Sequence, residues 1–199
     1  MPCGLENRSL VKMHRLFVAI RPPQAVLDLL VDTMEDGPEL GWVSEDYIHL
    51  TLRFIGEVES AQANDIADAL ERIRFPAFAI AIRGTGRFDR KGGGGALWAG
   101  IAPKRPVAEL AAKIDRACVS AGLEPERRAF HPHVTIARWR RGGAEAAEAY
   151  ERRHSDLASE PFAVSEFILF ESHLSRHGAH YEEAARFCLA KDGAQPERI

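Results

Sequence analysis

The strongest constraint on how this chain can fold is a six-residue pattern that occurs twice, HLTLRF at residues 49–54 and HVTIAR at residues 133–138. In each, a histidine and a threonine stand two residues apart, with apolar residues between and beyond them. A period of two belongs to a β-strand, whose successive side chains point to opposite faces of a sheet. His49, Thr51 and Arg53 are therefore expected on one face, with Ile48, Leu50, Leu52 and Phe54 on the other. His133 and Thr135 separate in the same way from Val134 and Ile136. Each strand needs a core for its apolar face and leaves an imidazole and a hydroxyl on the open one. Two such strands side by side would present both imidazoles to one cleft.

The rest of the chain supplies further strands and several helices. An apolar run at residues 16–20, ended by Pro22 and Pro23, reads as a strand. Val26, Leu27, Leu29, Leu30 and Met34 mark a helix over residues 24–34. The first motif strand is expected over residues 47–55, closed by Gly56. Ile66, Leu70 and Ile73 mark a second helix over 60–73, with Ser60 as its expected cap. Phe78, Ile80 and Ile82 alternate as in a strand, and residues 96–101 form another. The glycine tract at 92–95 lacks the P-loop spacing and its Lys-Ser/Thr ending, so it reads as a hairpin connection. Val107, Leu110, Ala111, Ile114, Ala117 and Cys118 mark a third helix, stopped by Gly122. Residues 142–157 read as a short exposed helix, and two long strands are expected over 162–170 and 181–189. Strands and helices mix without strict alternation, which predicts an α+β fold with mainly antiparallel sheets.

With 199 residues, 46% hydrophobic and 28% charged, the chain has enough apolar material for one domain or two fused lobes. A single domain over residues 14–190 is expected, with tails at 1–13 and 191–199 and Met13 as an alternative start. The net charge of -3 excludes a global basic field, so any polyanion site must be local. Cys3, Cys118 and Cys188 form neither a disulfide framework nor a CxxC pair, which fits reduced thiols in a cytoplasm. No apolar stretch is long enough for a membrane span, and the first residues contain no apolar signal core.

An imidazole titrates near neutrality, so one ring of a pair can be neutral while the other is protonated, as paired general base and general acid catalysis requires. Threonine hydroxyls beside them can hold the non-bridging oxygens of a phosphate, and an arginine can add charge. The chemistry suggested is displacement at phosphorus. His173, His177 and His180 are closely spaced but lack an evident carboxylate or cysteine partner set, and read as a polar hairpin rather than a metal site. His14 and His154 read as surface residues.

The two HxTx motifs, together with RLFVAIRPP from Arg15, LWAGI from Leu97, FHPHVTIAR from Phe130 and FILFESHLS from Phe167, resemble the signature of the 2H phosphoesterase superfamily. More narrowly, the chain is similar to the RNA 2',3'-cyclic phosphodiesterases, or LigT-type 2'-5' RNA ligases. The resemblance implies a bilobal fold in which two antiparallel sheets flank a central cleft, with helices outside. It implies hydrolysis of RNA 2',3'-cyclic phosphate ends, tRNA fragments among them, to 2'-phosphomonoesters by a monomer without a cofactor or required metal. Reverse 2'-5' ligation follows from microscopic reversibility. By the family assignment His49 is the proton donor and His133 the proton acceptor, while Thr51 and Thr135 hold phosphate oxygens. Arg138 matches the arginine ending the second motif, although simple alternation puts it opposite His133, so it reaches the cleft only through a bulge, a strand end or its long side chain. Arg53 has the parity to bind substrate and reads otherwise as a solvated strand charge; Phe130 reads either as a stacking platform for a terminal base or, more commonly, as a buried aromatic before a strand. The alternatives are a 2H phosphoesterase for a small cyclic phosphate or cyclic nucleotide, and a non-catalytic binder of RNA ends.

Overall fold

Alternating apolar residues build the strands of the computed structural model, which describes residues 12–35, 39–175 and 178–190. The strands are β1 (Met13–Ile20), β2 (Gly41–Trp42), β3 (Leu50–Glu59), β4 (Phe78–Asp89), β5 (Gly95–Ala102), β6 (His133–Trp139), β7 (Phe162–Val164), β8 (Glu166–Ser175) and β9 (Gly178–Cys188). The helices are α1 (Gln24–Val31), α2 (Ser60–Glu71), α3 (Lys104–Ser120) and α4 (Ala144–Arg153). Strand order is β7-β4-β5-β6-β3-β1-β8-β9, with β2 paired to the other edge of β6. Neighbouring strands pair antiparallel, as the mixed element order predicts.

The sheet consists of two antiparallel halves, each carrying one motif. β3 and β6 join them through the register pair Leu50 and Val134. This is the expected α+β architecture of two sheets about a junction. The chain crosses back between the halves at Ser165, where β7 pairs with β4 and β8 with β1. The single strand expected over 162–170 is therefore split at Ser165 into the three-residue β7 and the start of the ten-residue β8, which serve opposite halves.

One face of both halves packs under the helices. Leu16, Val18 and Ile20 of β1, Leu97 and Ile101 of β5, and Val134 and Ile136 of β6 share a core with Leu27, Leu70, Leu110 and Ile114 of the helices. The other face of the first half holds a smaller cluster of Phe17, Ala19, Ile168 and Phe170, against which Tyr181 packs. Cys118 is buried in the main core, where loss of hydration pushes its thiol up to about 11. Gly122 stops α3 with a φ of 92°, in the left-handed region that suits glycine.

Several local expectations are corrected. Ser60 is the first residue of α2, and its hydroxyl caps nothing; Glu59 takes the cap position. The Ser60 Oγ lies 3.0 Å from His14 Nε2, whose Nδ1 lies 3.0 Å from Glu171 Oε1. His14 thus belongs to β1 and is partly buried. His154 is partly buried too, its ring centroid 4.3 Å from that of Tyr150. The α4 helix is only half exposed, because Ala147 and Tyr150 are buried and the Tyr150 hydroxyl bonds Thr33 Oγ1 at 2.6 Å. Gly56 does not close the first motif strand, which continues to Glu59 with Gly56 at a φ of 89°. Of the expected tails, Met13 already pairs with Glu59; residues 1–11 and 191–199 lie outside the described residues.

Among the described residues no helix is long and apolar enough to cross a membrane. His173 and His180 face each other across the β8–β9 hairpin, and Glu182 lies 3.3 Å from one and 3.6 Å from the other, a carboxylate neighbour not anticipated from the sequence. His177 lies outside the described residues. No group of three or more His, Cys, Asp or Glu side chains able to hold a metal occurs among the described residues.

Candidate active site

The two motif histidines are oriented by the same local device. His49 Nδ1 lies 2.7 Å from the Tyr47 carbonyl, and His133 Nδ1 lies 2.6 Å from the His131 carbonyl. A carbonyl only accepts, so each Nδ1 carries the proton and each Nε2 of a neutral ring offers a lone pair. Among the described residues neither Nε2 has a hydrogen-bond partner and neither is a buried orphan, so both partly buried rings keep that nitrogen open to a ligand. The carbonyl acceptors come from the segment just before each strand. For His49 that segment is a short 3-10 turn, Glu45–Tyr47, where the sequence suggested strand already.

Aromatic packing fixes each ring further. Phe17 lies 4.9 Å from the His49 ring, Tyr181 lies 5.6 Å from it edge-on, and Phe17 itself stacks on Phe170. Around His133, Phe88 stands edge-on at 5.0 Å and Trp98 at 6.2 Å. Trp98 fits there because residue 86 is glycine: a Cβ at Gly86 would fall 2.3 Å from the indole. Phe17, Trp98 and Phe170 lie in segments that carry the resemblance but without a stated role, while Phe88 and Tyr181 come from strands whose pattern reads as ordinary sheet.

Both motif strands then break the alternation that the sequence suggests. In β3, Ala19 pairs with Thr51 and Val18 with Arg53, leaving Leu52 as a bulged residue. The extra residue reverses the parity beyond it. Arg53 consequently leaves the open face and turns under the sheet toward α3, only 8% exposed. There its Nε lies 3.2 Å from Asp115, one terminal nitrogen lies 3.3 Å from Glu126, and the other donates to the Glu124 carbonyl at 2.6 Å. Arg53 is therefore structural, which corrects its expected place beside substrate. Phe54, expected in the core, is 43% exposed on the opposite face, with the Arg15 guanidinium 5.2 Å from its ring centre.

β6 has the matching irregularity. Leu97 pairs with Ala137 and Trp98 with Thr135, so Ile136 is bulged. Val134, Ile136, Ala137 and Trp139 all enter the core, and Arg138 turns to the face of His133 and Thr135. Of the three routes open to Arg138, the strand uses the bulge. Thr51 and Thr135 are partly buried beside the histidines. Phe130 is 37% exposed in the segment before β6.

The electrostatics favour neutral rings in the free protein. Desolvation lowers His49 to about 4, opposed by its carbonyl bond and reinforced by Arg138, His133 and Arg21. Burial likewise lowers His133, again with Arg138 contributing. The same arginine thus acts on both imidazoles, so His49, His133 and Arg138 converge. The arrangement can hold an anion between two proton carriers whose Nε2 atoms are open.

Proteins with known activities share this architecture. The RNA 2',3'-cyclic phosphodiesterase of Aeropyrum pernix is 34% identical over 161 residues, covering 79% of this chain and 90% of its own length. That of Thermotoga maritima is 30% identical over 176 residues, covering 84% and 91%. The crystal structure of Escherichia coli LigT complexed with 3'-AMP is similar with a TM-score of 0.71 and 27% identity, over 89% of this chain and 99% of that one. The match of residues 23–176 to the family model spans both motif strands and their junction, and on it the chain belongs to the 2'-5' RNA ligase superfamily.

Proposed function

We propose that the protein opens 2',3'-cyclic phosphates at RNA ends, giving 2'-phosphomonoesters, with His49 as general acid and His133 as general base. The observation that carries this reading is the mirrored pair of Nδ1-to-carbonyl bonds, which leaves two open Nε2 atoms at the junction of the sheet halves. His133 Nε2 takes a proton from water as the water oxygen bonds to phosphorus. The bond from phosphorus to the 3'-oxygen breaks, and that oxygen takes the proton held on His49 Nε2. Thr51, Thr135 and Arg138 hold the non-bridging oxygens.

A phosphodiester anion in the cleft shifts the proton balance of the two rings. Its charge favours the protonated form of both rings, offsetting the desolvation and the charge of Arg138. His49 is thereby loaded when substrate binds. The names of the relatives, which act on RNA 2',3'-cyclic phosphates, support the same substrate. Reverse ligation would use the same groups with their roles exchanged. Both motifs lie on one chain, which supports a monomer as the working unit. A cytoplasmic location is part of the proposal, in keeping with three scattered cysteines that form neither a disulfide framework nor a CxxC pair.

The test is incubation, in excess chelator, with a short RNA ending in 2',3'-cyclic phosphate and identification of the product isomer. A 2'-phosphomonoester is expected, and His133→Ala should lower turnover about 100-fold or more. A 3'-phosphomonoester, or full activity in the variant, would overturn the assignment.

A further inference from the structure

The net charge of -3 gives no general attraction for a polyanion, so a local group of cations must provide it. Such a group begins inside the cleft with Arg138 and continues along β6. Trp139 returns to the core, 5% exposed, and the exposed Arg140 and Arg141 follow. The β4–β5 connection reaches the same place. Arg90 and Gly94 are bonded by the Arg90 N–H to the Gly94 carbonyl at 2.8 Å, and the Gly93 N–H returns to the Arg90 carbonyl at 3.1 Å. This turn, with Gly92 at a φ of 105°, carries Arg90 and Lys91 at its exposed tip. It sits against the end of β6: a Cβ built at Gly93 would lie 3.6 Å from Arg141 Cγ, and one at Gly94 3.0 Å from the Trp139 carbonyl.

Two distant segments thus bring Arg90, Lys91, Arg140 and Arg141 together beside Arg138. Among the described residues none of these five belongs to an ion pair. Other arginines are held by carboxylates, as Arg53 is by Asp115, Arg87 by Glu151 and Arg186 by Glu183. Asp89, the acid closest in sequence to the turn, is itself turned to Arg87. The patch therefore offers uncompensated positive charge continuous with the site.

We infer that the RNA strand leading to the cyclic phosphate crosses this patch, and that Arg90, Lys91, Arg140 and Arg141 neutralise its backbone phosphates. The inference rests on the proposed reaction and adds the path of the polynucleotide. Arg140 stands seven residues along the strand from His133, roughly 20 Å away at the rise of a β-strand. A single nucleotide in the cleft does not span that distance, whereas an oligonucleotide does. Contacts to phosphate carry no base information, so the patch binds RNA of any sequence.

The test compares the full chain with the double variant Arg140→Glu, Arg141→Glu, and separately with Lys91→Glu at the turn. Each is assayed on 2',3'-cyclic AMP and on a 12-nucleotide RNA ending in 2',3'-cyclic phosphate, over a range of salt. The double variant should lose about tenfold or more in kcat/KM on the oligonucleotide, with the loss confined to that substrate. Its salt slope should flatten by roughly 1.4, as expected when two phosphate contacts to a single strand vanish. Lys91→Glu should give a smaller loss of the same kind. Equal effects on both substrates, or an unchanged slope, would overturn the path. Fluorescence anisotropy with the same oligonucleotide separates this from the reaction itself. If no protein turns over either substrate, the proposed function fails, and the patch then stands or falls on whether the double variant loses affinity about tenfold.

Discussion

Leu50 of β3 stands opposite Val134 of β6, and this register pair joins the two halves of the sheet. Each residue directly follows a motif histidine, and each is buried. Their flanking residues therefore turn to the cleft. Continued by one residue in either direction, the antiparallel register sets His49 beside Thr135 and Thr51 beside His133. Each imidazole gains the other motif's hydroxyl as its neighbour. In the proposed reaction the phosphate is gripped there by both halves, so neither motif suffices alone.

Both imidazoles are lowered from the ordinary value, His49 to about 4. The free protein is active when one ring is charged and the other neutral, so kcat/KM should follow a bell lying on the acid side of 6.5. Bound phosphodiester raises both groups, so the kcat profile should lie at higher pH. Steady-state rates across the acid and neutral range check this. Coincident profiles centred above neutrality would contradict the two-histidine assignment.

Arg138 lowers both histidines, and the proposed reaction uses it to hold the anion. Arg138→Gln should therefore move the kcat/KM bell toward neutrality. It should also raise KM about tenfold or more, the equivalent of a charged hydrogen bond of about 1.5–3 kcal/mol. Arg138→Lys keeps the charge and should leave the bell near its original position. An unmoved profile in Arg138→Gln would remove this arginine from the cleft.

Arg53 and Phe54 test the bulge at Leu52. Arg53→Met leaves Asp115 and Glu126 without their shared cation, at a cost of about 3 kcal/mol. Phe54→Ala removes a ring that is 43% exposed and should cost less than about 1 kcal/mol, whereas a core phenylalanine would cost about 3–5 kcal/mol. Urea unfolding of both variants ranks them. The reverse ranking would restore simple alternation through Leu52.

These two residues also mark the limit of what the sequence discloses. The apolar period of two predicts the strands, and helical spacing predicts α1 to α3, because both record which face is buried. A bulge leaves no such record: Leu52 and Ile136 fit a regular strand as well as a bulged one, yet they decide which arginine reaches the cleft. The Tyr47 and His131 carbonyls are equally invisible, since a backbone acceptor does not depend on its side chain. Ser60 reads as a cap until β1 brings His14 to its hydroxyl. The histidines and threonines were legible because they precede the bulges.

Acid stability should show two separate losses. His49 titrates at about 4 when folded, against 6.5 as a free side chain, so between those values the unfolded chain binds a proton that the folded one refuses. Stability therefore falls as pH drops from about 6.5 toward 4, and His133 adds in the same direction. Glu126 behaves oppositely in sign of charge. Arg128, through its guanidinium and its backbone N–H, and more weakly Arg53, hold the Glu126 carboxyl down to about 2, against 4.5 for the free group. Its contribution is complete above 4.5 and is lost as pH falls toward 2. Urea midpoints measured against pH should thus decline across both windows. His49→Asn should flatten the upper one and Glu126→Gln the lower one. If His49→Asn leaves the upper decline intact, the imidazole is solvated in the folded protein, and the acid-shifted rate profile should vanish with it.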